Sequence, residues 1–533
     1  MRTTPLSLPP RRQGPPRPLL HPDPSGGGKD SLSLCERGTA ADDAPPDQSG
    51  PRVSGAGGGL LGGLRAVGGR RTGGQRAGHR GGRKRGLPTK LQGEIVQEVE
   101  ALLGHSAAAE LDLEALEMAA RRQALRLAAR AFEQRLNADR SDYAGPRLAC
   151  TCGQAAGYVD RRAKTLRSTL GPLRLERAYY HCEGCQRGFC PRDQTLGLRD
   201  TSFSPAVTRM VATVAALVSF EEGSQLLREL AGVEVQAKQV ERTAEALGAE
   251  IAHDERQHTE PFPGGALPST LYLGVDGTGV PMRASELAGH AGKQTDGSAK
   301  TREVKLCTVW SAEARDAEGN PVRDEGSVSY SAAIESAAAA DTDRDRSEFA
   351  ARVWREATRR RFEQAPRQVV IGDGAPWIWN LAQELFPGAV EIVDRFHVQE
   401  HLSNVSKALY PNHPKRARQW AEQRHQELDA GRLSAVRQAL GRHAARCEEA
   451  RKCADYIRHN QHRMHYPEFQ AQHLCTSSGV VEAGCKRAVT IRLKRGGMHW
   501  TVRGANAILA LRCCRLSGRF EDFWERRAAR RAA

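Results

Sequence analysis

Two apolar runs each deliver an aspartate to a place where a buried strand does not tolerate one alone. They are Leu271-Tyr-Leu-Gly-Val-Asp276 and Gln368-Val-Val-Ile-Gly-Asp373. An unpartnered carboxylate between apolar neighbours costs several kcal/mol, on the order of a lost charge-assisted hydrogen bond or more. A third run, Ala389 to Val393, ends at Asp394. Between them the pattern predicts strands at Val304–Trp310 and Ser327–Ala332, and helices at Ser347–Glu363 and Trp377–Phe386. Three strands, a helix, a strand, a helix and a strand make an α/β layered fold.

The acids suggest chemistry. In a ribonuclease-H-like sheet, the strands of Asp276 and Asp373 are neighbours and their carboxylates converge. Converging carboxylates repel, and hard oxygen ligands select Mg²⁺ or Mn²⁺ as the counter-charge. A third acid completes a site for two ions, and Ser477-Ser-Gly-Val-Val-Glu482-Ala-Gly-Cys-Lys486 supplies one at a helix start, with Lys486 and Arg487 near for phosphates. Such an ion pair activates a water or a 3′-hydroxyl and stabilises the leaving oxygen in phosphoryl transfer. Glu468 and Glu521 are other acids downstream of Asp373. The core then spans 268–398 and 475–526, with an all-helical insertion at 399–474, where Glu, Arg, Gln and Ala recur at helical spacing.

The chain has 13 cysteines and no export signal, so clustered thiols more often bind metal than pair. Cys150-Thr-Cys152 and Cys182-Glu-Gly-Cys185 bracket a hairpin around Gly171-Pro172, and two thiolate knuckles joined by strands suit tetrahedral Zn²⁺. A zinc ribbon is expected over 148–192, in a structural role. Its C-x-C half leaves room for His181 or Cys190 as a fourth ligand.

The ribbon sits between helical blocks. Residues 89–140 carry apolar positions at three and four residue spacing. In 201–262, a short helix Glu221–Leu230, a turn at Ala231-Gly232-Val233 and a helix Gln236–Glu250 have helix-turn-helix spacing, which a plain helical hairpin shares. Lys238 and Arg242, at i and i+4, would present one face to DNA.

The net charge is +16, but residues 1–90 hold 16 of the 79 Lys+Arg against 6 of the 63 Asp+Glu, with 20 of the 53 Gly. About +6 remains for the rest, so charge alone does not argue for DNA. The tail, 1–88, has too little apolar surface to fold and is expected to be disordered and dispensable. No run of eighteen apolar residues exists to span a bilayer.

Several motifs, in order, carry a resemblance: Val-Asp276-Gly-Thr-Gly-Val-Pro-Met, Gly292-Lys-Gln-Thr-Asp-Gly-Ser-Ala-Lys, Gly-Asp373-Gly-Ala-Pro-Trp-Ile-Trp-Asn, Asp394-Arg-Phe-His397, and Val481-Glu482-Ala-Gly-Cys-Lys486 followed by Arg495-Gly-Gly-Met-His-Trp500. Over residues 90–525 the chain resembles the ISKra-type insertion-sequence transposases, among the Mutator-like DDE enzymes. The resemblance implies a DNA transposase with Asp276, Asp373 and Glu482 as its metal-binding triad. It also implies a place for Asp394 and His397 near the active site, and terminal inverted repeats and target DNA as partners. A homo-oligomer on DNA and a bacterial cytoplasmic, nucleoid-associated location follow from the same likeness. The alternative is a catalytically inactive, repressor-like protein that keeps the fold; a nuclease unrelated to mobile elements would share the triad alone.

Weaker signals compete. His397-Val-Gln-Glu400-His401 fits an inverted zinc-protease pattern, and Asp341-Thr-Asp-Arg-Asp345 resembles the start of a calcium loop but has Arg346 where Gly is needed. Trp377 and Trp379 read as helix-packing residues. Trp500, among basic and glycine residues, has the better claim to DNA.

Overall fold

A computed structural model describes residues 93, 96–97, 100 and 112–532, except 262–265, 293, 295–296 and 338–345. The tail and the Asp341–Asp345 run lie outside the described residues, as does much of 89–111. The described residues belong to one compact unit.

The first described helix, Leu113–Ala138, starts where the Asp112 side chain accepts the amide of Ala115 (2.8 Å). A four-stranded antiparallel sheet follows: β1 Arg147–Ala149, β2 Ala155–Ser168, β3 Gly171–Cys182 and β4 Arg187–Phe189. The expected hairpin is present and long, and Ser168 pairs Gly171 across a two-residue turn. Along β3, amides are taken up by side chains: Glu133 accepts from Arg174, Asn137 from Glu176, and Asp142 from Ala178. The helix therefore covers a sheet edge that would otherwise invite pairing with another chain.

Helices Pro205–Leu217, Phe220–Ala231 and Ala237–Gln257 come next. The middle one opens with a capping box between Ser219 and Glu222 and ends at Gly232, whose φ of 66° needs a residue without Cβ. The short helix, glycine turn and second helix expected here are present. They are not a separate domain, however. Val240, Ala244 and Leu247 share an apolar core with Val304 and Leu306 of the main sheet and with Ile508 and Leu511 near the C terminus. At Gly248 the helix comes so close to the Ala507 backbone that no Cβ would fit.

The main sheet is mixed. Its strands are β5 Thr270–Pro281, β6 Thr301–Ser311, β9 Ser329–Ala333, β10 Arg367–Gly372 and β11 Val390–Val393, ordered β11-β10-β5-β6-β9; β7 Ala314–Arg315 and β8 Pro321–Val322 make a separate ribbon. The first three strands run antiparallel, whereas β10 is parallel to β5 and β11 to β10. The fold is a mixed α/β layered one, with helices packed on both faces of this sheet.

Residues 399–474 are all-helical as expected, in Arg395–Leu409, Pro414–Asp429, Leu433–Gly441, Glu448–Asn460 and Tyr466–Ala471. They have no core of their own. Leu428, Leu440, Ile457 and Met464 pack in the same apolar cluster as Val369, Val370 and Ile371, so the insertion completes one face of the sheet.

Candidate active site and metal centre

The two halves of the cysteine motif meet at one end of the ribbon. Cys150 and Cys152 lie in the turn between β1 and β2, tightened by Gly153 at φ 85°. Cys182 ends β3 and Cys185 lies in the turn into β4. The Sγ atoms of Cys150 and Cys185 are 3.6 Å apart, as are those of Cys152 and Cys182, and all four lie within 4.8 Å of one another. Four sulfurs bonded to Zn²⁺ at about 2.3 Å stand roughly 3.8 Å apart in a tetrahedron, so the quartet could hold such a metal. The fourth ligand is thus a cysteine of the two pairs, and His181 and Cys190 are not in the set. A backbone hydrogen bond at Cys152 pulls the Cys150 thiol down to about 7, which favours the thiolate a metal needs. Cys185 goes the other way: its bond to the Arg187 backbone lowers it, but burial and the other thiols push it up to about 12.

The aspartates meet at the other site. Ile371 pairs with Gly274 across the parallel β10–β5 ladder, and Gly372 pairs with Val393 across β10–β11. Counting on from those pairs sets Asp276, Asp373 and Asp394 level with one another on three adjacent strands, Asp276 in the middle of β5 and the other two just past the ends of β10 and β11. Burial raises the Asp276 carboxyl above its usual range and the charge of Asp373 adds to that, against donors from the Cys485 thiol (3.2 Å) and the Gly277 amide (2.6 Å). Asp373 accepts the Ala375 amide at 2.9 Å, and its carbonyl accepts the Tyr456 hydroxyl at 2.7 Å, tying the helical insertion to the strand end.

Asp394 is buried, 3% exposed, and caps the following helix by accepting the Phe396 amide at 2.9 Å. Its other oxygen takes His397 Nδ1 at 2.9 Å and the Ser478 hydroxyl. Burial alone would raise Asp394, but these donors hold it below the usual carboxylate range. The same bond drives His397 up to about 9 despite burial, with Asp373 and Asp276 adding to the pull. His397 is therefore an imidazolium at neutral pH, beside two acids.

A continuous helical stretch, Gly479–Leu493, bridges the row of acids, with a π-helical turn at Cys485–Thr490. Ser478 touches Asp394 and Cys485 touches Asp276. Glu482 lies between them at i+4 from Ser478 and i−3 from Cys485, on the same helical face. It is exposed. The oxygens of Asp276, Asp373 and Glu482 are not drawn together as the sulfurs are: among the described residues, the cysteine quartet is the one ligand group gathered within 4.8 Å.

Other residues singled out by the sequence lie as follows. Lys486 and Arg242 are exposed; Lys238, also exposed, pairs with Glu241 at 2.7 Å. Lys494, which sequence reasoning passed over, reaches Thr278 beside Asp276. Trp500 corrects an expectation: it is buried, 7% exposed, with Nε1 donating to the Leu493 carbonyl at 3.0 Å and its ring edge-on to Phe220. Its apolar body fills the core where the sheet meets the helices, so it offers no face to a base. Trp377 and Trp379 pack in the sheet's core region. The His401 ring lies tilted against Tyr456, centroids 4.5 Å apart, and burial and the His397 charge hold it below its ordinary value. Glu521 is bound by Arg209, and Glu468 is exposed. Cys485, Ser478 and Tyr456 carry no spacing signal; only their partners across the fold identify them.

No helix among the described residues is long and apolar enough to cross a membrane. No curated protein matches the chain. A family model does match, over residues 154–528, from the second strand of the cysteine ribbon to the C-terminal helix; the chain belongs to the uncharacterised protein family UPF0236.

Proposed function

We propose that this protein is a DNA transposase of the DDE type, with a ribonuclease-H-like core and Asp276, Asp373 and Glu482 as its catalytic acids. The observation that carries the reading is the levelling of Asp276 and Asp373 on adjacent parallel strands, with Glu482 on the helix bonded to both Asp276's and Asp394's carboxylates. Strand order also supports it. Numbered by appearance the sheet reads 5-4-1-2-3, with strands 1 to 3 antiparallel and 4 and 5 parallel, as the resemblance requires.

The acids fit Mg²⁺ or Mn²⁺ by donor chemistry: hard oxygens, one of them on a carboxyl raised by burial and further by its neighbour's charge, both of which a cation would offset. Bound ions would supply activation of a water or 3′-hydroxyl and neutralisation of the leaving oxygen. The chain's own groups do the rest. Cys485 and the Gly277 amide fix the Asp276 carboxylate, and Tyr456 fixes the Asp373 strand end. The His397 imidazolium, oriented by Asp394, provides a positive charge for a phosphate at the site. Zinc in the ribbon would brace 147–189 structurally, since four filled positions leave none for substrate.

The test is strand cleavage and joining, with Mg²⁺, on duplexes carrying any inverted repeats found in the DNA flanking the gene. Wild-type chain should cut and join; Asp373→Asn should bind the repeats and do neither. A wild-type chain that binds but never cuts would favour the repressor-like reading.

A further inference from the structure

The bridging helix has a second charged face. Its π-helical turn at Cys485–Thr490 holds Arg487 away from the acids, and π turns of this kind recur at functional sites. The buried Arg512 takes up the carbonyls of Arg487 and Ala488 there, and also that of Ala216, so one guanidinium ties the turn to the helix Pro205–Leu217. Arg487 then lines a solvent-open cavity of about 520 Å³ together with Arg323, Arg360, Arg515, Tyr330 and Ser517. No carboxylate lines it. Of the two acids adjoining the lining in sequence, Asp324 bonds Ser311 and the amides of Glu313 and Ala314, and Glu325 is exposed and does not line the cavity. Burial raises the Tyr330 hydroxyl in this lining, against the charges of Arg487 and Arg323. The helix Val502–Leu516 ends here, but its terminal half-charge of about −0.5 is small against the three exposed guanidinium groups of Arg323, Arg487 and Arg515; Arg360 is set aside, because the buried Glu356 acts on it.

Three exposed guanidinium groups around one opening repel one another, and an anion seated among them relieves that repulsion. Planar guanidinium forks match phosphate oxygens in pairs. We propose that this cavity seats a phosphate of a DNA strand, held by Arg323, Arg487 and Arg515, on the reverse of the helix that carries Glu482. The inference rests on the DNA-processing reading and adds a contact to it: backbone docked at Arg487 bears on the helix that presents the third acid.

The test is the salt dependence of binding, by fluorescence anisotropy with a labelled repeat-end duplex. Each phosphate contact contributes roughly 0.9 to the slope of log affinity against log salt. The double substitution Arg487→Ala with Arg515→Ala should lower that slope by roughly one and weaken binding at least tenfold at about 100 mM salt. Arg487→Lys with Arg515→Lys keeps the charge and should restore most of the slope, while Arg418→Ala, an exposed residue paired with Glu422, should change nothing. An unchanged slope in the double alanine variant, with wild type binding normally, overturns the pocket alone. Calorimetry with inorganic phosphate separates the sources: saturable phosphate binding lost in that variant, with the DNA slope intact, would make the cavity a free-anion site and overturn the DNA assignment. A wild-type chain that binds no duplex sinks the DNA-processing reading along with this one.

Discussion

The cysteine quartet and the aspartate row are both clusters of metal-ligand residues, and they are built in opposite ways. The quartet draws four soft ligands from two turns of one small sheet, local in space and close in sequence. Its sulfurs already stand at the separation a tetrahedral ion sets. The aspartate row takes hard ligands from three adjacent strands and adds a helix from more than eighty residues further on. Its members repel, and one is pushed toward its neutral form. The first cluster can brace a fold. The second works against its own fold, and the protein has tied it down with a thiol, a hydroxyl, a tyrosine and an imidazolium. A site that resists its own assembly is the one to suspect of chemistry.

The sharpest way to break this contrast is by charge removal. Asp276→Asn, Asp373→Asn and Glu482→Gln should each lower strand cleavage by more than about 100-fold, since even outer partners of a metal site are worth 10–100-fold. Asp276→Asn should at the same time leave the melting temperature unchanged or raise it, because a destabilised buried carboxylate is gone. Full activity in any of the three, measured on repeat-end duplexes, would end the triad assignment.

Next in size is the ribbon. Cys182→Ser with Cys185→Ser should lose about one zinc per chain by elemental analysis and expose 147–189 to protease, while the sheet core stays folded. Unchanged metal content would remove the contrast at its other end.

A smaller effect separates the two through pH. His397 has a folded value near 9 against about 6.5 unfolded, so its contribution is complete below about 6.5 and is lost as pH rises through 9. Allowing for its partial exposure, that is about 1–2 kcal/mol. The groups facing it are Asp394, Asp373, Asp276 and His401. Denaturant midpoints for wild type should fall across that window, and those of His397→Gln should not; parallel curves would show that His397 is not the group. The smallest change expected is at Cys485. Cys485→Ser keeps a donor for Asp276 and should alter cleavage by no more than a few-fold, whereas Cys485→Ala leaves that oxygen without one and should do worse.

Ordered spacing made much of this visible beforehand. Cys150, Cys152, Cys182 and Cys185 announce themselves because a knuckle needs ligands two or three residues apart, a constraint written along the chain. Asp276 and Asp373 are visible for a related reason, as charges at the ends of apolar runs. The position of Ser478 against Asp394, or of Tyr456 against the strand end of Asp373, depends on how helices settle on the sheet, and no local period records it. Trp500 shows the opposite failure. Its basic, glycine-rich neighbours suggest an open surface, but the chain folds back along β5 there, with the Trp500 amide donating to the Pro281 carbonyl at 3.1 Å, and the ring turns inward. Likewise, the helical composition of 399–474 gave no hint that its apolar side belongs to the sheet.

The π-helical turn at 485–490 amounts to one residue more than an α-helix would use over the same length. Remove that residue and everything downstream rotates by about 100° while everything upstream stays put. Glu482 would still face the acids, but Arg492 would swing from between the rings of Phe220 and Trp500, where it is fully buried. The turn thus works as a phase shifter: it lets one rod keep time with the strand ends on one side and with the helical layer on the other, two surfaces whose natural rhythms do not agree.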